Sequence, residues 1–217
     1  MNLNKNILCL ITAILTILFL TVMDSRGQLG FNNVAVVGSF TANVASGGGS
    51  CPSTPTVAQN VYNANQACGM TDGIGHYRTG LIGYTNASLI YICGADFLMT
   101  YVAGDISGLT FKAYVYSLSG NNLDTLLATS STTISGNNSW SHTTNHFDFA
   151  TAAPVSPGTR VAVFVQPTQA GDNANYARID VQDTDVFTPG NLATWNSTGG
   201  IELNATTNDP WVSIYFY

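Results

Sequence analysis

Charge is the scarcest commodity in this chain. Six Lys and Arg stand against twelve Asp and Glu, 8 % of 217 residues, where soluble globular domains carry about 25 %. A coiled coil needs charges flanking its apolar seam, a disordered acidic tail needs charge density without aromatics, and a nucleic-acid binder needs a basic face. None of these is available. Helical periodicity is equally scarce: beyond the first 27 residues no stretch combines apolar spacing at i, i+3 and i+4 with good helix formers. What the chain does have is 45 % hydrophobic residues with ten Phe, ten Tyr, three Trp and 21 Gly, enough to bury the core of a single domain.

Residues 7–23 (ILCLITAILTILFLTVM) carry no charge and follow a leader holding Lys5. Ser25 and Gly27 supply small residues at the −3 and −1 positions, so the segment reads as a secretory signal peptide, residues 1–27, cleaved before Gln28. The alternative is a retained anchor, for which 17 residues are at the short edge of what spans a core about 30 Å thick. With the leader removed, four cations (Arg78, Lys112, Arg160, Arg178) face eleven acids, a net charge of −7. Four cations cannot track a phosphate backbone or dock on an anionic bilayer, so neither nucleic acid nor membrane beyond the leader is an expected partner.

Cys51, Cys68 and Cys93 then remain. In an oxidising compartment three cysteines read as one bridge and one buried thiol. Cys51 with Cys68 closes a short Gly/Pro/Asn-flanked loop and is the expected pair, while Cys93, inside the apolar run LIYIC, reads as a small core residue. No CxxC spacing occurs among them to hold a transition metal.

Beyond the leader the dominant period is two. Strands are expected over residues 34–40, 87–93, 98–102, 109–118, 126–134, 146–149, 160–166, 177–181 and 211–216. In LTFKAYVYSL (109–118), Phe111, Ala113 and Val115 occupy one face, with Lys112, Tyr114 and Tyr116 on the other. Turns rich in Gly, Asn, Ser and Pro (119–122, 135–138, 156–158, 170–173, 188–191) separate them. Eight to ten strands so spaced make an all-β fold, an antiparallel sandwich or barrel. Residues 28–66 form the least regular section, expected as an arm or first strand and a loop before a sandwich over 67–217. Because the last strand runs to Tyr217, no sorting tail is expected after it.

The stretches AYVYSLSGNNLDTLLATS (113–130), FDFATAAPVSPGTRVAVFV (147–165) and DPWVSIYFY (209–217) resemble the jelly-roll modules of the choice-of-anchor and DUF4082-like kind on bacterial secreted and surface proteins. The resemblance covers about half of the exported chain. It implies an antiparallel jelly-roll β-sandwich of galactose-binding-like shape, used as an accessory or adhesive module, with no catalytic residues to carry over.

Catalysis requires convergent titratable groups, and the chain offers His76, His142 and His146 with scattered acids and no GxSxG elbow. His142 and His146 read as loop or surface histidines, and paired glycosidase carboxylates have only Glu202 and the Asp180 group as candidates. The chain is therefore expected not to be an enzyme. Asp180, Asp183 and Asp185 gather three carboxylates within six residues, a hard-oxygen set suited to Ca²⁺, although the spacing is not that of an EF-hand; the alternative is a solvated acidic turn partly neutralised by Arg178. Trp140 and Trp195 lie beside Asn138 and Asn196 in turn-like sequence, where exposed rings with adjacent amides could stack on and hydrogen-bond to a sugar. Trp211 is expected in the core. Asn86, Asn137, Asn196 and Asn204 head glycosylation sequons. The expected function is a secreted or cell-surface structural and adhesive module with a protein or glycan partner or self-association, the alternative being a carbohydrate-binding module, calcium-stabilised in one version.

Overall fold

A computed structural model describes residues 50–62, 78–169, 174–183 and 190–217, with backbone alone at 203 and 204; the expected strand at 34–40, Cys68 and Asp185 lie outside them. Every regular element among the described residues is a strand. In chain order these are β1 (Val57–Gln59), β2 (Arg78–Tyr84), β3 (Ile90–Ala103), β4 (Thr110–Ser119), β5 (Asn122–Thr129), β6 (Ile134–Ser135), β7 (Thr143–Val155), β8 (Val161–Pro167), β9 (Tyr176–Ile179), β10 (Val181–Gln182), β11 (Asn191–Trp195), β12 (Ile201–Ala205), β13 (Asp209–Pro210) and β14 (Val212–Phe216).

They build two principal sheets. The front sheet runs β1-β14-β3-β7, with β9 paired to the far end of β3, and the back sheet runs β12-β11-β2-β8-β4-β5, with β6 on β4; β10 and β13 form a small third ribbon. Every pairing is antiparallel. The two sheets pack their inner faces together as a β-sandwich, as the alternating pattern predicts. Phe97, Met99, Phe147 and Ile214 from the front meet Leu81, Phe111, Val115 and Val163 from the back, all fully buried. Each such side chain contributes about 1.5–3 kcal/mol on leaving water.

Strict alternation fails at bulges, where the extra residue reverses which side chains face inward. Gly83, with φ +89°, marks the shift between Ile82 and Tyr84 against β8, so Ile82 lies on the outer face and Tyr84 in the core. The shift between Ile92 and Gly94 does the same on β3: Ile90 and Ile92 face inward before it, Ala95, Phe97 and Met99 after it. The two runs expected at 87–93 and 98–102 are thereby one strand of 14 residues, and the run expected at 126–134 breaks at Ser130, whose hydroxyl accepts from the Ala113 N–H.

The structure also corrects the disulfide. Cys93 faces outward beside Tyr215 and Ala152, and it bonds Cys51, not Cys68, across a Cα–Cα distance of 5.7 Å. With Ile90 and Ile92 turned inward, alternation places Cys93 with Tyr91 on the opposite face, the side that the chain ahead of β1 crosses, so an apolar run around a cysteine does not make it a core residue of the sandwich. That chain enters the sandwich at β1, which pairs with β14, so sandwich strands begin before residue 67.

Candidate functional site

The two tryptophans expected as an exposed sugar platform are buried. In the turn before β7, the Asn137 side-chain carbonyl accepts from the Ser139 N–H and hydroxyl, and the tightened chain delivers Trp140 into the core against Phe111, ring centroids 5.6 Å apart. Trp195 ends β11 instead of lying in a turn; it is fully buried, and its indole N–H donates to the Asn121 carbonyl. Trp211 is only partly buried. The neighbouring amides are occupied by the fold. Asn138 accepts from the Ile106 N–H and donates to Asp105, while Asn196 accepts from the backbone of Thr198 and Gly200 and from the Thr198 hydroxyl. Hydrogen bonds from Ser107 and Asn138 hold the Asp105 pKa down at about 2.

The two described members of the acid cluster differ in their surroundings. Asp180, following β9, is fully buried: the Thr100 hydroxyl lies 2.9 and 3.1 Å from its two oxygens, His142 Nδ1 lies 2.9 Å away, and Arg178 Nε 3.8 Å. Asp183 is exposed. Among the described residues no three His, Cys, Asp or Glu side chains gather in a way that could hold a metal ion. His142 is no free loop residue. Its φ of +50° is a conformation that non-glycine residues seldom adopt, held by the Asp180 contact and by its own N–H donating to Thr100, and Tyr62 stacks on its ring at 4.6 Å.

His146 also has partners that the sequence reading did not assign. It stands on β7 opposite Asp96 of β3, on the outer face of the front sheet. Its Nδ1 lies 2.5 Å from Asp96 and its Nε2 3.1 Å from Asp148, and the Tyr215 hydroxyl donates to the other Asp96 oxygen. Partial burial opposes the charged imidazolium, but hydrogen bonds and charge from Asp96 and Asp148 outweigh it and hold the His146 pKa above its ordinary value. Burial, with the Asp96 carboxylate, pushes the Tyr215 hydroxyl up to about 12. A legible signal existed: His146 and Asp148 alternate on one strand face, and Asp96 interrupts an otherwise apolar run.

The outer face of the back sheet carries a surface of a different kind. Tyr114 and Tyr116 of β4 stack on Phe164 of β8 at centroid distances of 5.6 and 5.7 Å, and Trp195 packs behind Phe164 at 5.4 Å. Phe164 is fully buried; the two tyrosines remain part-exposed. Cross-strand register lays these groups in rows: Tyr116 opposite Leu126, Tyr114 opposite Phe164, and Lys112 opposite Gln166. Leu126 is exposed. Arg78 extends the last row, its Nε donating to Gln166, one Nη to the Asn196 carbonyl, and its guanidinium 5.9 Å above the Phe164 ring. A glycine makes this approach possible: a Cβ on Gly80, the register partner of Phe164, would lie 2.2 Å from the Val163 carbonyl oxygen and 2.5 Å from the Phe164 Cα.

One end of this face is closed by two hairpin tips. The Leu123 N–H donates to the Gly199 carbonyl, the Ile201 N–H to the Asn122 side chain, and Arg160 reaches the Gly120 carbonyl. Strands β5 and β12, at opposite margins of the sheet, are thus joined through their turns, and Leu123 and Ile201 cover Trp195 and Phe164. Chemically the surface offers part-exposed phenol rings for stacking, with an amide and an ammonium beside them. KAYVY was the available signal, since its polar-phase positions are aromatic. Three of the four sequon asparagines (Asn86, Asn137 and Asn196) bond the hydroxyl of their own Ser or Thr. No family model matches the chain, and no curated protein is similar to it.

Proposed function

We propose that the chain is a secreted, non-catalytic β-sandwich that acts as a recognition and adhesive module at a cell surface. The observation that carries this reading is the division of labour between its two outer faces. On the front sheet the ionisable side chains Asp96, His146, Asp148 and Tyr215 bind one another, whereas the back sheet presents part-exposed aromatic rings with cations beside them. A disulfide linking residues 51 and 93 suits the oxidising surroundings that export implies. Among the described residues no helix is long and apolar enough to cross a membrane, and residues 1–27 supply the export signal in this reading. The resemblance to choice-of-anchor jelly-roll modules supports the same role.

The second reading, a carbohydrate-binding module, is favoured by the Tyr114, Tyr116 and Phe164 stack, because saccharide C–H faces pack on phenol rings. Its residues differ from those expected from the sequence: tyrosines of a sheet face replace turn tryptophans. Immunogold labelling of cells producing the full-length chain, with fractionation of the medium, tests the main reading. Label on the surface and retention of the purified exported form by cells lacking the protein are the expected results. Protein confined to the cell interior refutes it.

A further inference from the structure

Resting on the surface-recognition reading, we infer that the outer face of the back sheet binds an acidic polysaccharide, one bearing a carboxylate on its sugar rings. Two observations select this ligand class. The first is shape. Tyr114 and Tyr116 lie at successive outward positions of β4, about 7 Å apart along the strand, and both stack on Phe164 of the neighbouring strand β8. A chain of pyranose rings can place C–H faces on these phenols, and Gln166, oriented by Arg78, supplies an amide in the neighbouring row.

The second is charge. Of the four cations that follow the leader, Arg78 and Lys112 flank Gln166 on this face, and Arg160 stands at the hairpin tip that closes it. Asp96 and Asp148 belong to the front sheet, where both engage His146, and the buried Asp180 follows β9. Asp124 and Glu202 stand on the marginal strands β5 and β12, and the Asp124 carboxylate is engaged by the Ser117 and Thr125 hydroxyls. The exported chain, of net charge −7, thus places three of its four cations around Tyr114 and Tyr116. Lys112, which makes no ion pair among the described residues, is one row from Tyr114, about 7 Å along β4. That is where a carboxylate on the edge of a sugar ring stacked on Tyr114 would project. Sparse cations beside adjacent rings match one charge per sugar and mismatch a densely sulfated chain.

Titration calorimetry of the exported chain tests the assignment, with oligoguluronate from alginate as the acidic saccharide, cello-oligosaccharide as the neutral one, heparin as the sulfated one and polyglutamate as the non-sugar polyanion. Tightest binding is expected for the uronate, weakened at least tenfold by Lys112→Glu and by Tyr114→Ala, and weakened by salt. Lys112→Ala, a change at a part-exposed side chain, guards against loss of fold, which a melting curve checks for every variant. Equal affinity for cello-oligosaccharide, heparin or polyglutamate overturns the ligand class. Uronate binding that is unchanged in folded Lys112→Glu and Tyr114→Ala overturns the site. A wild-type chain that binds cells but no uronate overturns this inference and leaves surface recognition standing.

Discussion

Removing the disulfide is the sharpest perturbation of the fold. The cysteines at 51 and 93 are separated by 42 positions, and closing a loop of that length removes denatured-chain entropy equivalent to about 4 kcal/mol in the chain-entropy model. For a domain of this size each kcal/mol moves the melting temperature by about 2–4 °C. The paired substitution Cys51→Ala/Cys93→Ala is therefore expected to lower the midpoint by about 8–16 °C. Reductant added to the wild-type chain should produce most of the same fall, because it breaks the cross-link without altering packing around Tyr215 and Ala152. Thermal unfolding followed by circular dichroism measures both, and peptide mapping without reduction identifies the bridge. A Cys51 to Cys68 peptide, or a full loss of stability in Cys68→Ala with none in the paired variant, would refute the reasoning.

His146 should make stability depend on pH in a definite direction. Since its native pKa lies above the usual value, its stabilising contribution is complete below pH about 6.5 and is lost as pH rises through the native pKa. With the side chain 45 % exposed, solvent screening holds the contribution to about 1 kcal/mol or less. Urea midpoints at pH 5.5 and 8.5 should differ less in His146→Gln than in wild type, and an identical difference would remove the effect. Trp195→Ala empties a fully buried site and is expected to cost about 3–5 kcal/mol in chemical denaturation; a loss under about 1 kcal/mol would show that the indole is not core. Gly80→Ala drives a methyl group into the Val163 carbonyl and should destabilise by about 3 kcal/mol or more, whereas an unchanged unfolding midpoint would contradict the close approach of β2 and β8.

The all-β fold was legible because burial on one face leaves a period-two trace, and the trace is clearest where a strand is regular. In β4 the expected inward residues Phe111, Ala113 and Val115 are all fully buried. Strand β2 was missed because RTGLIGY carries two glycines and a bulge that break the alternation, and β11 because NLATW is buried along nearly its whole length. The sugar-platform residues failed for a related reason. Asn and Ser around Trp140 do form a turn, but turn chemistry dictates backbone direction and says nothing about which way the following indole is thrown.

Composition and order along the chain determined by themselves that these residues form strands, that the body is acidic with few cations, and that one side of β4 is aromatic. Three matters were decided only in three dimensions: the partner of Cys51, the pairing of His146 with Asp96, and the assembly of Tyr114, Tyr116, Phe164 and Arg78 on one face. The first joins residues 42 positions apart and the second residues 50 apart, and the third brings Arg78 to Phe164 from a strand that is not its neighbour in sequence. Local propensity acts over a few residues. Sheet order and the parity reversals at bulges choose the neighbours, and that choice depends on the backbone and side chains of every adjoining strand at once.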